Sequence, residues 1–302
     1  MLSRVTVLGE ALVDLAPAGG ERLFRAVPGG SPANVAVGLG RLGVPSSLVT
    51  GLGEDAFGRL VVRHLAESDV SVVAQPAPFT GTAVVTLDEA GAASYDFALS
   101  WEPAEAPLPD GTVALHTGSL AAALGGGPAR VEAVMAAARP FATVSFDPNV
   151  RPGLMGDRRR EAERVARQVA LSDVVKASEE DIAWLHPGAD PIAVARGWRA
   201  LGPALVVVTH GMDGATLLAE EEVRSPAPPV RVVDTVGAGD AFSAAFLAGL
   251  HDAGLLGAER REALARVPAA VLDRAVRAAS LTCTRPGADP PTRAELDAFA
   301  AV

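Results

Sequence analysis

Short apolar runs alternate with helix-period patterns through most of the chain. Arg4–Leu8 alternates apolar and polar positions and stops at Gly9, which predicts a first strand. Pro32–Leu42 repeats apolar residues at helical spacing, with Ser31 placed to cap its start and Gly43 to end it. Ser47–Thr50 predicts a strand and Ala56–Glu67 a helix. Farther on, Thr143–Phe146, Val174–Lys176 and Leu205–Thr209 are apolar runs of strand length, and Val230–Val233 is strand-like. Arg158–Ala170, Glu179–Leu185 and Pro191–Leu201 are the helical patterns between the apolar runs. Thr292-Arg293-Ala294-Glu295 has the capping-box pattern of a last helix. Such alternation predicts an α/β fold with a mostly parallel sheet and helices on both faces.

Two segments interrupt the alternation. Leu12–Val27 and Phe79–Trp101 look strand-like, and the second contains Thr82–Leu87 and Ala92–Phe97 joined by the hairpin signal Asp88-Glu89-Ala90-Gly91. A third stretch carries candidate chemistry. Ala241, Phe242, Ala245, Phe246, Gly249 and Leu250 share one face of a helix, and Asp234-Thr235-Val236-Gly237-Ala238-Gly239-Asp240 leads into it. A helix start leaves backbone N–H groups without partners and carries partial positive charge. Glycines let an anion approach that backbone closely. Gly237, Ala238 and Gly239 therefore form a cradle for negative charge, and Asp240 stands where a carboxylate can take a proton from an attacking group. The combination fits phosphoryl transfer from a nucleotide to a hydroxyl. An aspartate favoured by the helix dipole explains a lone Gly-Asp equally well; the seven-residue stretch is more specific.

That stretch resembles the signature of the ribokinase-like sugar kinases, the pfkB carbohydrate kinase family. A second motif, Gly29-Gly30-Ser31-Pro32-Ala33-Asn34 running on to Gly43, resembles the family's amino-terminal double-glycine signature. Order and spacing agree, and the resemblance covers nearly the whole chain. It implies a single kinase domain over residues 1–302, with a three-layer fold and a small β-sheet lid from about 12–27 and 79–101. It also implies ATP and magnesium as cofactors, Asp240 as catalytic base and the 237–239 amides as anion hole. Asp14, Gly29, Gly30, Asn34 and Arg151 would bind the sugar. Asp14 follows the first strand on the edge where open α/β sheets bind ligands, and Asn34 offers both donor and acceptor. A solvated loop acid and a helix cap are the bland accounts of these two. Arg151, in Asp147-Pro148-Asn149-Val150-Arg151, can steady a phosphate or a sugar oxygen, and a structural ion pair explains it nearly as well.

Lys176-Ala177-Ser178-Glu179-Glu180-Asp181 stands where the family has Asn-x-x-Glu beside the magnesium nucleotide, with Ser178 for Asn and Asp181 for Glu. The departure leaves the metal-side acid open among Glu179, Glu180 and Asp181, with Asp181 in the family's position; helix capping explains the same residues. Thr209, Gly211 and Gly214 resemble the family's nucleotide-binding turn, and Asp234 its monovalent-cation (potassium) residue. Within the family, Gly9–Asp14 and Gly30–Asn34 look most like fructokinases. Ser31-Pro32 replaces the Lys-Gly of ribokinases, and 2-keto-3-deoxygluconate kinases are the nearest rival. A sensor that binds without turnover is the alternative outside the enzyme class; an intact Asp240 argues against it.

Bulk properties narrow the picture. Apolar residues make up 49% of 302, ample for a core, while length alone admits one domain or two. A net charge of −10 with Lys176 as the only lysine offers no basic patch for nucleic acid. No apolar run is long enough for a membrane span, so the expectation is a cytoplasmic enzyme, with a homodimer through the lid allowed. The single cysteine, Cys283, rules out an internal disulfide and reads as a buried small residue in the helical run Ala279–Thr284. The histidines show no metal-ligand spacing, and neither a P-loop nor a G-x-S-x-G is present. Gly38-Leu39-Gly40-Arg41-Leu42-Gly43 matches the dinucleotide fingerprint in letters but closes a helix instead of opening one, so close helix packing is the better account.

Overall fold

The computed structural model describes residues 3–18, 23–87, 93–101 and 108–299. Nine strands form the large sheet: β1 (Arg4–Leu8), β4 (Ser46–Leu52), β5 (Val70–Pro76), β8 (Thr112–Gly118), β9 (Thr143–Asp147), β10 (Val174–Ser178), β11 (Leu205–Thr209), β12 (Ala215–Leu218) and β13 (Glu222–Ser225). Their order is β13-β12-β11-β10-β9-β8-β1-β4-β5. All neighbours from β11 to β5 pair in parallel; β12 and β13 close one edge antiparallel. The segments that broke the alternation form a second sheet, ordered β3-β2-β6-β7, from β2 (Leu12–Pro17), β3 (Phe24–Gly29), β6 (Gly81–Leu87) and β7 (Ala93–Ala98). The hairpin loop expected at 88–91 lies outside the described residues.

Period-two alternation sorts the strand side chains onto two cores. Leu205 and Val207 join one with α1 (Ser31–Arg41), α2 (Ala56–Ala66), α7 (Ala238–Asp252) and α9 (Ala269–Thr282). Val206 and Val208 join the other with α3 (Gly127–Ala138), α4 (Arg158–Ala170), α5 (Glu179–Leu185) and α6 (Pro191–Arg199). Two covered faces explain the apolar strands. β8 lacked such a signal because polar residues are buried within it: Thr112 pairs with Thr6, Oγ1 to Oγ1 at 2.7 Å, and His116 Nδ1 lies 3.0 Å from Ser145 Oγ.

Several local expectations need correction. Ser31 is not a cap: Gly30 occupies that place, with φ 100°, and no side chain caps α1. Val230–Val233 is irregular rather than a strand; Val232 and Val233 are exposed, and the Val233 N–H donates to Cys283 O at 2.8 Å. Cys283 is half-buried just past the end of α9, and burial raises its thiol pKa. The glycine-rich end of α1 serves packing, as expected. A Cβ on Gly38 would come within 2.6 Å of Ala244 Cβ, so α1 and α7 cross in close contact.

Candidate active site

Parallel strands place their carboxyl ends on one edge of the sheet, where loops converge. Two non-glycine residues just past that edge have left-handed backbones, Ser119 after β8 (φ 55°) and Asn149 after β9 (φ 39°). Such conformations persist only where the surroundings over-determine them. Along this edge the predicted residues fall into linked groups.

The first group joins Asp14 to Asp240. Asp14 lies on β2 opposite Val27 and beside Ala83. Its carboxylate packs over Gly29, where a Cβ would approach Oδ2 to 2.3 Å. Burial pushes its pKa up to about 6. Gly30 turns the chain with φ 100° against Glu10 O, and α1 starts at once. From its first turn Ser31 Oγ donates to Asp240 Oδ1 at 2.6 Å, and Asn34 Nδ2 donates to Asp240 Oδ2 at 2.8 Å. Asp240 is buried in the first turn of α7, three residues after the N-cap Gly237. Gly237 is left-handed at φ 77°, and a Cβ there would meet Ala288 at 2.6 Å, so only glycine makes this entry. The helix starts earlier than the apolar face suggested, which puts Asp240 inside it. The Ala238 N–H is turned to Thr235 O at 3.2 Å; Gly239 and Asp240 supply the remaining first-turn donors that helix geometry leaves open.

The second group lies beneath that turn. A Cβ on Gly239 would stand 3.1 Å from Lys176 Nζ, which donates to Asp147 Oδ2 at 2.9 Å. Burial lowers the Lys176 pKa, and Asp147, Asp181 and Asp240 outweigh it, so the ammonium is held charged. Burial raises Asp147 to about 6 against the pull of Lys176, so the pair is ionic at neutral pH. His116, buried near the same lysine, is driven down to about 3 by burial and then by Lys176, and stays neutral. A fixed positive charge thus sits under an open helix N-terminus beside a hydrogen-bonded carboxylate.

The sequence profile of the pfkB family carbohydrate kinases matches residues 3–295. The chain belongs to this family. A fructokinase from Klebsiella pneumoniae is 39% identical over 269 residues, 84% of this chain and 87% of its own length. Among solved structures, fructokinase with bound ATP from Xylella fastidiosa superposes with a TM-score of 0.89 at 27% identity, covering 100% of this chain and 99% of its own. Fructokinase from Vibrio cholerae O395 in a fructose, ADP and calcium ion bound form gives 0.79 at 30% identity, covering 99% of both chains.

Other predicted residues of this carbohydrate kinase are held differently. Asp181 accepts from Val150 N–H at 2.7 Å on Oδ1, and from Ser178 N–H and Oγ at 2.9 and 2.8 Å on Oδ2. Ser178 Oγ in turn accepts the Asp181 N–H, completing a capping box. Arg151 is exposed and folds back to Asn149 Oδ1 at 2.6 Å. Thr209 ends β11, and Gly211 and Gly214 lie in the separate turn that follows, closed by His210 N–H to Gly214 O at 2.8 Å; His210 reaches Glu179 and so joins the turn to the α5 start. Asp234 accepts from Val236 N–H at 3.0 Å and Gly287 N–H at 2.8 Å.

Sequence reasoning passed over Glu10 and the partner role of Ser31. Glu10 is buried after β1, accepts the Ala121 N–H at 2.9 Å and lines a cavity of about 120 Å³ with Gly81, Trp101 and Leu120. Burial pushes its pKa up to about 7, with Ser119 and nearby backbone N–H groups opposing. Its sequence signals were an acid two residues past the first strand and its place in the Gly9–Asp14 stretch, neither of which assigned it a role.

Proposed function

We propose that this kinase transfers the γ-phosphate of ATP to a hydroxyl of fructose, with Asp240 as base. What carries the reading is the Asp240 carboxylate, buried at an open helix N-terminus and held by side-chain donors from α1. The sugar hydroxyl gives its proton to Asp240, its oxygen bonds to the γ-phosphorus, and the bond to the ADP oxygen breaks. First-turn N–H groups of Gly239 and Asp240, with Lys176 beneath, offset the charge that develops on the transferring group. Asp14 and Asn34 hold the sugar, and the second sheet acts as its lid. The names of the bacterial relatives and the fructose in the Vibrio cholerae structure favour this sugar.

A divalent cation bound with the nucleotide supplies charge neutralisation at the phosphates. At the α5 start Glu180 is exposed, whereas Asp181 is taken up by protein donors, so we assign Asp181 to shaping the turn and leave the cation to its neighbours and the phosphates. Asp234 ties its loop to Gly287; a rate that depends on potassium would add a cation role. We further propose a cytoplasmic location, where ATP is available, and a homodimer through the second sheet, which exposes Leu23, Phe24 and Val27. Among the described residues no helix is long and apolar enough to cross a membrane.

One assay of ADP release across fructose, ribose and 2-keto-3-deoxygluconate tests the substrate. Fructose should give the highest kcat/KM by about tenfold, the scale of one charge-assisted contact. A keto acid preferred by the same margin would overturn fructose and leave the kinase standing; Arg25 on β3 and Arg151 would then be the cations to examine.

A further inference from the structure

Ser31 is the residue in the site with no assigned part. It sits first in α1 without capping it, and its hydroxyl is spent on Asp240 from 209 positions away in sequence. We propose that Ser31 is a positioning residue for the base, an inference that rests on the reading of Asp240 given above. Asn34 fixes one carboxylate oxygen and Ser31 fixes the other. A carboxylate held at one oxygen can still swing about that bond; two donors on different oxygens set its plane. Ser31 and Asn34 are three apart and share one face of α1, so they move as one rigid unit. The crossing of α1 and α7 at Gly38 and Ala244 fixes that unit against the first turn of α7. The same helix enters through Gly29 and Gly30, against which Asp14 packs. Ser31 therefore aligns the base with the sugar site without needing to touch sugar or nucleotide. When a sugar hydroxyl arrives, each oxygen of Asp240 keeps a second lone pair to receive it.

Placement of a catalytic group acts on turnover, whereas loss of a binding contact acts on KM. Ser31→Ala should lower kcat for fructose by about tenfold, with the KM of fructose and of ATP changing less than about threefold. Its thermal midpoint should fall by no more than a few degrees, because the hydroxyl makes one bond, to a carboxylate that keeps Asn34 as its second donor. Ser31→Thr keeps the hydroxyl and should restore most of the turnover. Wild-type kcat in Ser31→Ala would overturn the proposal. So would a rise in fructose KM at constant kcat, which would make Ser31 a sugar contact, or a Thr variant no better than Ala. Asp240→Asn, assayed alongside, separates the two readings. If it retains turnover, the base assignment falls and Ser31 with it; if it is inactive while Ser31→Ala is normal, only the Ser31 inference falls.

Discussion

Asp240 and Asp181 hold the same place in their helices. Each is the third residue of a helix, each is buried, and each follows residues that resemble a family motif. The difference lies three residues earlier. Asp181 follows Ser178, whose N–H and hydroxyl take one carboxylate oxygen while Val150 takes the other, so the acid closes its own helix start. Asp240 follows Gly237, which has no side chain with which to form a capping box. Its oxygens turn instead to Ser31 and Asn34 on another helix, and the Gly239 and Asp240 N–H groups stay open. A glycine at the cap thus frees both the acid and the helix terminus for chemistry; a serine there commits the acid to structure.

Several substitutions sharpen that contrast. Among these, the largest effect is expected from Asp240→Glu, which keeps the carboxylate but pushes it one methylene farther along the side chain, out of register with Ser31 and Asn34. A misplacement of that size costs about a hundredfold in kcat, read from fructose-dependent ADP release at saturation. Turnover within a few-fold of wild type would show that the α1 donors do not define the base.

Next comes Asp14, the acid that neither caps a helix nor meets a side-chain donor in the first-turn network. Asp14→Ala should raise the fructose KM by about tenfold or more, since a hydrogen bond to a charged group is worth roughly 1.5–3 kcal/mol, and should leave the ATP KM within about twofold. With its pKa near 6, the group is an ionised acceptor above that pH and protonated below it. The wild-type fructose KM should therefore rise as pH falls through about 6, and Asp14→Asn should lose that dependence. A pH-independent KM in the wild type would remove Asp14 from the sugar site.

The smallest effect concerns Glu10, an acid buried with no cation partner among the described residues. Its folded pKa lies near 7, above the ordinary 4.5. Folding therefore binds a proton between those values, and its stabilising share is fully present below about 4.5 and lost as pH rises to about 7. Glu10→Gln mimics the protonated form. Its melting temperature should exceed that of wild type by a few degrees at pH 8 and converge with it near pH 4.5. An equal difference at both values would mean that Glu10 does not titrate in this range.

The parallel core and the α7 start were legible because their signals are local: apolar runs on β9, β10 and β11, and a glycine-flanked aspartate before a helix. What stayed hidden is long-range. Ser31 reads as a helix cap until α7 is packed against α1. The Lys176–Asp147 pair needs β9 and β10 in register before it can be seen. β8 was obscured by buried polar residues whose partners lie on other strands. Val230–Val233 misled in the opposite direction, as apolar residues in exposed irregular chain.

The direct test takes Asp240→Asn and Asp181→Asn through the same two measurements, thermal melting and fructose-dependent ADP release at saturation. Asp240→Asn should lose at least about a hundredfold in kcat, as general-base loss does, while melting close to wild type. Asp181→Asn should keep turnover within about tenfold and melt lower, since a buried acceptor that leaves donors unsatisfied costs about 1–3 kcal/mol. Asp240→Asn with more than a third of wild-type turnover, or the two variants changing in parallel, would contradict the account.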